Sequence, residues 1–385
     1  MIITEDIKYI GVNDHTVDLF EGMYEVPNGM SYNSYVIMDE KIAVMDTVDK
    51  EFTGKWLERL QKVLGGREPD YLIIQHMEPD HSANIMRFCH IYSEATLVAS
   101  VKAFEMMKNY FGTDFASKRI IVADGDKLSL GKHKLLFIAA PMVHWPEVIF
   151  TYDMTDKCLF SADAFGRFGA LDVAQEWVAE ARRYYFGIVG KYGLFVRKVL
   201  TKVAELDVQC ICPLHGPALI EDVERYVELY VKWSNYEPEE EGVLIAYTSV
   251  YGNTAKAVML LEEKLRTQGC EVTVRDLSRC DMSEAVAQAF RYSNLVLATT
   301  TYNAGIFPFM REFIHWLLER KFCNRKVGLM ENGGWAVIAA KLMQEMLMKS
   351  EGITFADTTV RIVSSVKEEN IEQIDKLAEE MCQNQ

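Results

Sequence analysis

Between residues 76 and 81 the sequence reads HMEPDH, which places His76, Glu78, Asp80 and His81 within six residues. Three other segments each carry one similar group just beyond a short apolar run: His144 in PMVHWPE, Asp163 in SADAFG and His215 in PLHGP. Imidazole and carboxylate are donors for first-row cations of intermediate hardness, and the set contains no thiolate. Seven donors exceed what one zinc ion takes. They suit two metals sharing a carboxylate, for which Asp163 is the candidate bridge. The carboxylate share favours iron, although manganese and zinc accept the same donor types. A lone histidine near a strand is ordinarily a satisfied polar residue, and His15, His90, His133 and His315 keep that reading because no such company surrounds them.

A second chemistry is written after Val243. The segment VLIAYTSVYGNTAKAV is an apolar strand, a loop of Thr248, Ser249, Val250, Tyr251, Gly252, Asn253 and Thr254, and then a helix. Backbone N–H groups and hydroxyls in such a loop converge on a phosphate, and the helix adds its positive dipole end. Gly252 and Asn253 could instead serve only as turn and helix cap, but the alternation of strands and helices that follows favours the anion site. The loop has neither G-x-x-x-x-G-K nor G-x-G-x-x-G, so a nucleotidase or dinucleotide site is not indicated. Two later strand ends have flavin-like composition. TTTYNAGIFP supplies Thr300, Thr301, Tyr302, Asn303, Ala304 and Gly305, and ENGGWA supplies Glu331, Asn332, Gly333, Gly334 and Trp335. Tyr302 or Trp335 offers a face for stacking unless it is core, and the adjoining backbone offers donors for a polar ring edge.

These groups need elements to hold them. The runs Tyr71–Gln75, Leu135–Ala140, Cys158–Ser161 and Val208–Cys212 read as buried strands with functional loops at their ends. If they are neighbours in one sheet, all seven donors meet at one edge. Tyr32 to Val48 reads as an antiparallel hairpin turning at Asp39–Lys41. The stretch NYEPEEEG, Asn235 to Gly242, lacks apolar periodicity and is the linker candidate, dividing the chain into residues 1–238 and 239–385. Beyond it five strands alternate with helices, which predicts a doubly wound parallel sheet in an α/β chain.

Composition narrows the partners. With 56 acids against 41 bases the net charge is −15, and no basic block interrupts it, which disfavours nucleic acid and anionic membrane surfaces. The acidic opening MIITEDIKYIGVND is not a signal peptide, and no long apolar run occurs, so a cytoplasmic protein with reduced thiols is expected. The eight cysteines include no C-x-x-C pair, which argues against rubredoxin-type, iron–sulfur and structural zinc sites within this chain. Cys210 and Cys212 alternate with Ile211 on an apparent strand.

HMEPDHS, His144, FSADAFG and LHGP together resemble the metallo-β-lactamase-like domain of the flavodiiron proteins, or A-type flavoproteins. Zinc hydrolases of that fold carry histidine where this chain has Glu78. The second half is similar to short-chain flavodoxins, which bind FMN, and the domain order is that of the flavodiiron family, so the resemblance covers essentially the full chain. It implies a metallo-β-lactamase-like αββα sandwich followed by a flavodoxin-like sheet. His76, Glu78 and His144 would hold a flavin-proximal iron, Asp80, His81 and His215 a distal iron, and Asp163 together with an oxo or hydroxo group would bridge them. The implied activity is reduction of dioxygen to water or of nitric oxide to nitrous oxide, with electrons entering through FMN. A separate donor, rubredoxin-like or a reduced deazaflavin, and a head-to-tail homodimer or dimer of dimers are implied too. Two rival readings are a zinc metallo-hydrolase with a regulatory flavin domain and a simple FMN electron carrier. Iron content separates the first, and dependence of gas reduction on His76 separates the second.

Overall fold

The structure, a computed structural model, describes residues 3–382; the first two residues of the acidic N-terminal stretch lie outside the described residues. Contacts divide the chain into two compact units, residues 1–234 and 235–385.

Unit one is a sandwich of two mixed sheets. The first orders the strands Ile7–Tyr9, Tyr35–Ile37, Ala43–Met45, Tyr71–Ile73, Thr96–Ala99 and Arg119–Ile121, with the first two pairings antiparallel and the rest parallel. The Tyr35–Ile37 and Ala43–Met45 pair forms the expected hairpin. The second sheet orders Lys127–Ser129, Lys134–Ala139, Ile149–Asp153, Cys158–Phe160 and Cys210–Cys212, antiparallel except for the last pairing. Their apolar faces meet, Ile37, Met45 and Ile73 from one sheet packing in a single core with Phe137, Ile149 and Phe160 from the other. Burial of that interior is the main force holding the sheets together. Helices Thr53–Leu64 and Gly193–Val203 bury Trp56 and Leu60, and Val196 and Val199.

This arrangement corrects one expectation. The four donor-bearing strands are not neighbours in one sheet: Tyr71–Ile73 belongs to the first and the other three to the second. Strand Ile149–Asp153 also separates Lys134–Ala139 from Cys158–Phe160.

Unit two is a five-stranded parallel sheet in the order Val272–Asp276, Glu240–Tyr247, Tyr292–Tyr302, Lys326–Gly333 and Thr354–Val363. Sequence order along the sheet is therefore 2-1-3-4-5, a doubly wound pattern that leaves a crevice at its switch point. A short strand, Gly305–Ile306, turns back antiparallel on Tyr292–Tyr302 through Asn303 and Ala304, both at positive φ. Strand Lys326–Gly333 takes in Glu331, Asn332 and Gly333 of the ENGGWA segment. Arg325 is a buried guanidinium at this unit's base that donates to the carbonyls of Tyr236, Phe290, Tyr292, Cys323 and Asn324. Cys270 and Cys382 are brought together in this unit, with Cα atoms 6.1 Å apart. Among the described residues no helix is long and apolar enough to cross a membrane.

Candidate metal centre and flavin cavity

All seven expected donors of unit one converge, and they do so as two groups. In the first, His76 Nε2 lies 3.2 Å from Glu78 Oε2 and 3.3 Å from His144 Nε2. His144 Nε2 lies 3.1 Å from Glu78 Oε2 and 3.0 Å from Asp163 Oδ2. In the second, His81 Nε2 lies 3.1 Å from His215 Nε2, and each is 3.3 Å from Asp80 Oδ2. Asp163 belongs to both. While its Oδ2 faces His144, its Oδ1 points to His81 Nε2 at 3.4 Å.

Local structure explains the convergence. Glu78 precedes the one-turn helix Pro79–Ser82, which starts at proline and carries Asp80 and His81 side by side. Asp46, buried and at positive φ, pins this loop by accepting from the backbone N–H groups of Gln75 and His76 and from the Gln75 amide. Burial pushes its carboxyl up to about 6 against the lowering effect of Gln75. In the DAFG turn, Gly166 must lack a side chain, because a Cβ would sit 2.9 Å from the Asp163 carbonyl. Glu147 Oε1 lies 2.8 Å from His76 Nδ1, and the Ser31 carbonyl lies 2.7 Å from His215 Nδ1; both contacts aim Nε2 inward.

The donors fit a pair of cations. Asp80 Oδ1 is buried without a hydrogen bond, and Asp80 Oδ2 and Asp163 Oδ1, also without one, face only imidazole Nε2 atoms at 3.3 and 3.4 Å, an arrangement that costs free energy unless positive charge completes it. The imidazoles respond to the same field. Burial depresses the His144 pKa, but Asp163 and Glu78 outweigh it and lift it to about 9. Burial opposes ionisation of Asp163, and His76 and His144 outweigh that and hold its carboxyl well below the usual range. Phe20, Tyr32 and Tyr184 wall His215 with ring centroids at 5.3, 5.9 and 5.5 Å. The Tyr184 hydroxyl is buried without a partner, and burial with the nearby Asp163 and Glu78 charges keeps it a protonated donor.

Sequence reading did not single out Asp46, Glu147, Tyr184 or Glu21. Glu147 stood in the quoted HWPE segment, but nothing local marks it as the partner of a histidine 71 positions away. Glu21 sits in an exposed turn, yet its carboxyl reaches Glu78, and desolvation with that negative neighbour raises it to about 7. The four histidines set aside are placed otherwise: His15 pairs on the surface with Asp172, and His133 lies between Asp153 and Asp6. His90 closes the short helix Ile85–Ile91, and His315 is exposed on Pro308–Glu319.

In unit two a cavity of about 480 Å³ opens at the sheet's switch point, a size that suits a small cofactor. Its wall takes Ser249, Val250, Tyr251, Asn253 and Thr254 from the first loop, Thr300 to Ala304 from the second, and Asn332 to Trp335 from the third. Ala336 and Ser364 join them. Thr248, Gly252, Gly305 and Glu331 are not on the wall. The Thr248 hydroxyl bonds that of Thr299 at 2.6 Å, and Glu331 Oε2 accepts the Ala340 N–H at 2.8 Å beside helix Ala339–Leu347. Gly252 caps helix Asn253–Thr267 at φ 87°, and Gly305 lies in the short return strand. Tyr251 and Trp335 are 93% and 94% exposed, so neither is core.

Residues 30–216 match the ODP family beta lactamase and residues 245–368 match flavodoxin. The nitric oxide reductase of Moorella thermoacetica is 30% identical over 357 residues, which cover 90% of this chain and 88% of that protein. The solved flavodiiron protein from Giardia intestinalis superposes with a TM-score of 0.91 at 25% identity, covering 98% and 95% of the two chains. This chain belongs to the flavodiiron family. Another flavodiiron structure, the rubredoxin oxygen:oxidoreductase of Desulfovibrio gigas, matches with a TM-score of 0.91 at 26% identity over 99% of this chain and 97% of that one. The anaerobic nitric oxide reductase flavorubredoxin of Salmonella arizonae is 28% identical, and the match takes in 87% of this chain and 72% of that longer protein. The flavodiiron chain described here is thus an oxidoreductase with a metallo-β-lactamase-like domain followed by a flavodoxin-like domain.

Proposed function

We propose that this protein reduces dioxygen to water, nitric oxide to nitrous oxide, or both, at a non-haem diiron centre. His76, Glu78 and His144 would hold one iron, Asp80, His81 and His215 would hold the other, and Asp163 would be shared between them. The observation that carries this reading is the placement of Asp163, whose two oxygens face the two donor groups at 3.0 and 3.4 Å. When bound, the metals would supply Lewis acidity and redox equivalents, and a flavin held by the unit-two cavity would supply electron transfer. Asp163 sets the spacing of the two positions, Glu147 and the Ser31 carbonyl fix the imidazoles, and Phe20 and Tyr184 restrict water beside His215. Tyr184 Oη is a protonated donor at the centre's edge. FMN's phosphate is assigned to Ser249, Asn253 and Thr254 and its ring to Tyr302 or Trp335. Electrons come from a separate donor of the rubredoxin type, and the assembly is a head-to-tail homodimer in which one subunit's flavin serves its partner's metals.

Anaerobically purified protein should contain two irons and one FMN per chain and consume dioxygen or nitric oxide when given reduced rubredoxin. Zinc in place of iron, with hydrolysis of a thioester or phosphodiester, would return the hydrolase reading. Gas consumption unchanged by His76→Ala would reduce the chain to an electron carrier. Restoration of activity on mixing a His76→Ala subunit with a flavin-deficient subunit would test the head-to-tail arrangement.

A further inference from the structure

We propose that the two metal positions are inequivalent: the position formed by His76, Glu78 and His144 fills first and more tightly, and Glu147 is the positioning residue that makes it so. This inference rests on the metal-binding reading above.

Ligand type does not separate the two positions. Each has two imidazoles, one carboxylate of its own and access to one oxygen of Asp163. What stands behind the imidazoles differs. His76 Nδ1 faces a carboxylate, Glu147 Oε1 at 2.8 Å, and that oxygen also accepts the Met77 N–H at 2.8 Å. The Glu147 side chain is wholly buried, so its charge acts on the ring through little intervening water. His215 Nδ1 faces the neutral carbonyl of Ser31 at 2.7 Å. The Nδ1 of His81 is buried with no partner at all.

These three situations have graded consequences. An anionic acceptor behind an imidazole fixes its tautomer and orientation and makes the outward nitrogen more basic, whereas a carbonyl fixes the ring without adding charge. A ring whose Nδ1 has no partner lacks that hold on its tautomer and torsion from behind. A cation arriving first therefore meets a preorganised, more negative position at His76, Glu78 and His144. The second must organise His81 and also bind beside an existing dication across Asp163, which adds repulsion.

The test uses the full-length protein, stripped of metal without oxygen and titrated with ferrous ion alone against a competing chelator. Two binding steps are expected, their affinities separated by about tenfold or more. Glu147→Gln preserves size and an acceptor oxygen while removing the charge. It should weaken the tighter step by about 10- to 100-fold and leave the weaker step in place. His76→Ala should delete the tighter step, and His215→Ala should delete only the weaker one.

Two equal steps in the unmodified protein, or a tight step that survives His76→Ala and disappears in His215→Ala, would overturn the inference. A folded Glu147→Gln protein with an unchanged tight step would remove Glu147 from it. Should that variant fail to fold by circular dichroism, the two histidine variants still decide the order. Failure of the folded wild-type protein to bind iron at all would sink the metal reading itself, an outcome distinct from equal binding.

Discussion

Replacing His133 by asparagine should destabilise the metal-domain sandwich by about 2 kcal/mol more at pH 6 than at pH 9.5. The buried ring lies between two carboxylates, with Nδ1 2.8 Å from Asp153 Oδ2 and Nε2 3.1 Å from Asp6 Oδ2. Only the imidazolium can donate to both. Asp156 adds negative charge nearby, Lys132 shares Asp6, and Asp39 accepts the His133 backbone N–H. Burial opposes the charge, but Asp153 and Asp6 outweigh it and lift the pKa from 6.5 to about 9. Because the folded value is raised, the stabilisation is fully present below about pH 6.5 and is lost as pH climbs through about 9. That interval corresponds to about 3 kcal/mol, and partial exposure of Asp6 with its sharing by Lys132 reduces the expectation to about 2 kcal/mol. Urea denaturation of wild type and variant at both pH values, followed by circular dichroism, gives the change in difference between them; titrations elsewhere cancel. An equal loss at pH 6 and 9.5 would show that the ring acts by packing, not charge.

Three further outcomes are expected. Asp163→Asn keeps the bridge's shape but removes its charge, so iron analysis should find one or fewer ions per chain and gas reduction should fall by about 100-fold or more. Trp335→Ala should leave the fold intact, because the ring is almost fully exposed, and raise the FMN Kd about tenfold by flavin-fluorescence titration; an unchanged Kd would exclude stacking on Trp335. Arg325→Met removes a charged donor shared by five carbonyls, at a cost of about 3 kcal/mol or more, and calorimetry should find the flavin-domain transition roughly 10 °C lower. The pKa of Arg325 falls by burial only to about 10, so its charge is present throughout the neutral range.

The flavodoxin-like half was largely legible in sequence because its signals are local. Apolar strands, helical periodicity and turn residues alternate over short windows, and the helix expected after the Thr248–Thr254 loop is found at Asn253–Thr267. Strand ends were less legible: hydrogen bonding to neighbours carries Lys326–Gly333 through three residues that read as loop. In the other half the density of donors in HMEPDH was visible, but its support was not. Glu147 serves His76 from 71 residues away, and Ser31 serves His215 from 184 away. Pairings at that separation leave no periodic trace.

The sequence by itself determined which side chains can bind metal and which loop can cradle a phosphate, because those properties belong to residue types and short spacings. Only the tertiary structure decided that the metal donors come from two sheets packed face to face. It also decided that they separate into two groups, and that Asp163 turns one oxygen to each. The physical reason is that sheet membership follows from burying apolar faces across the whole domain, a collective choice that no single strand encodes.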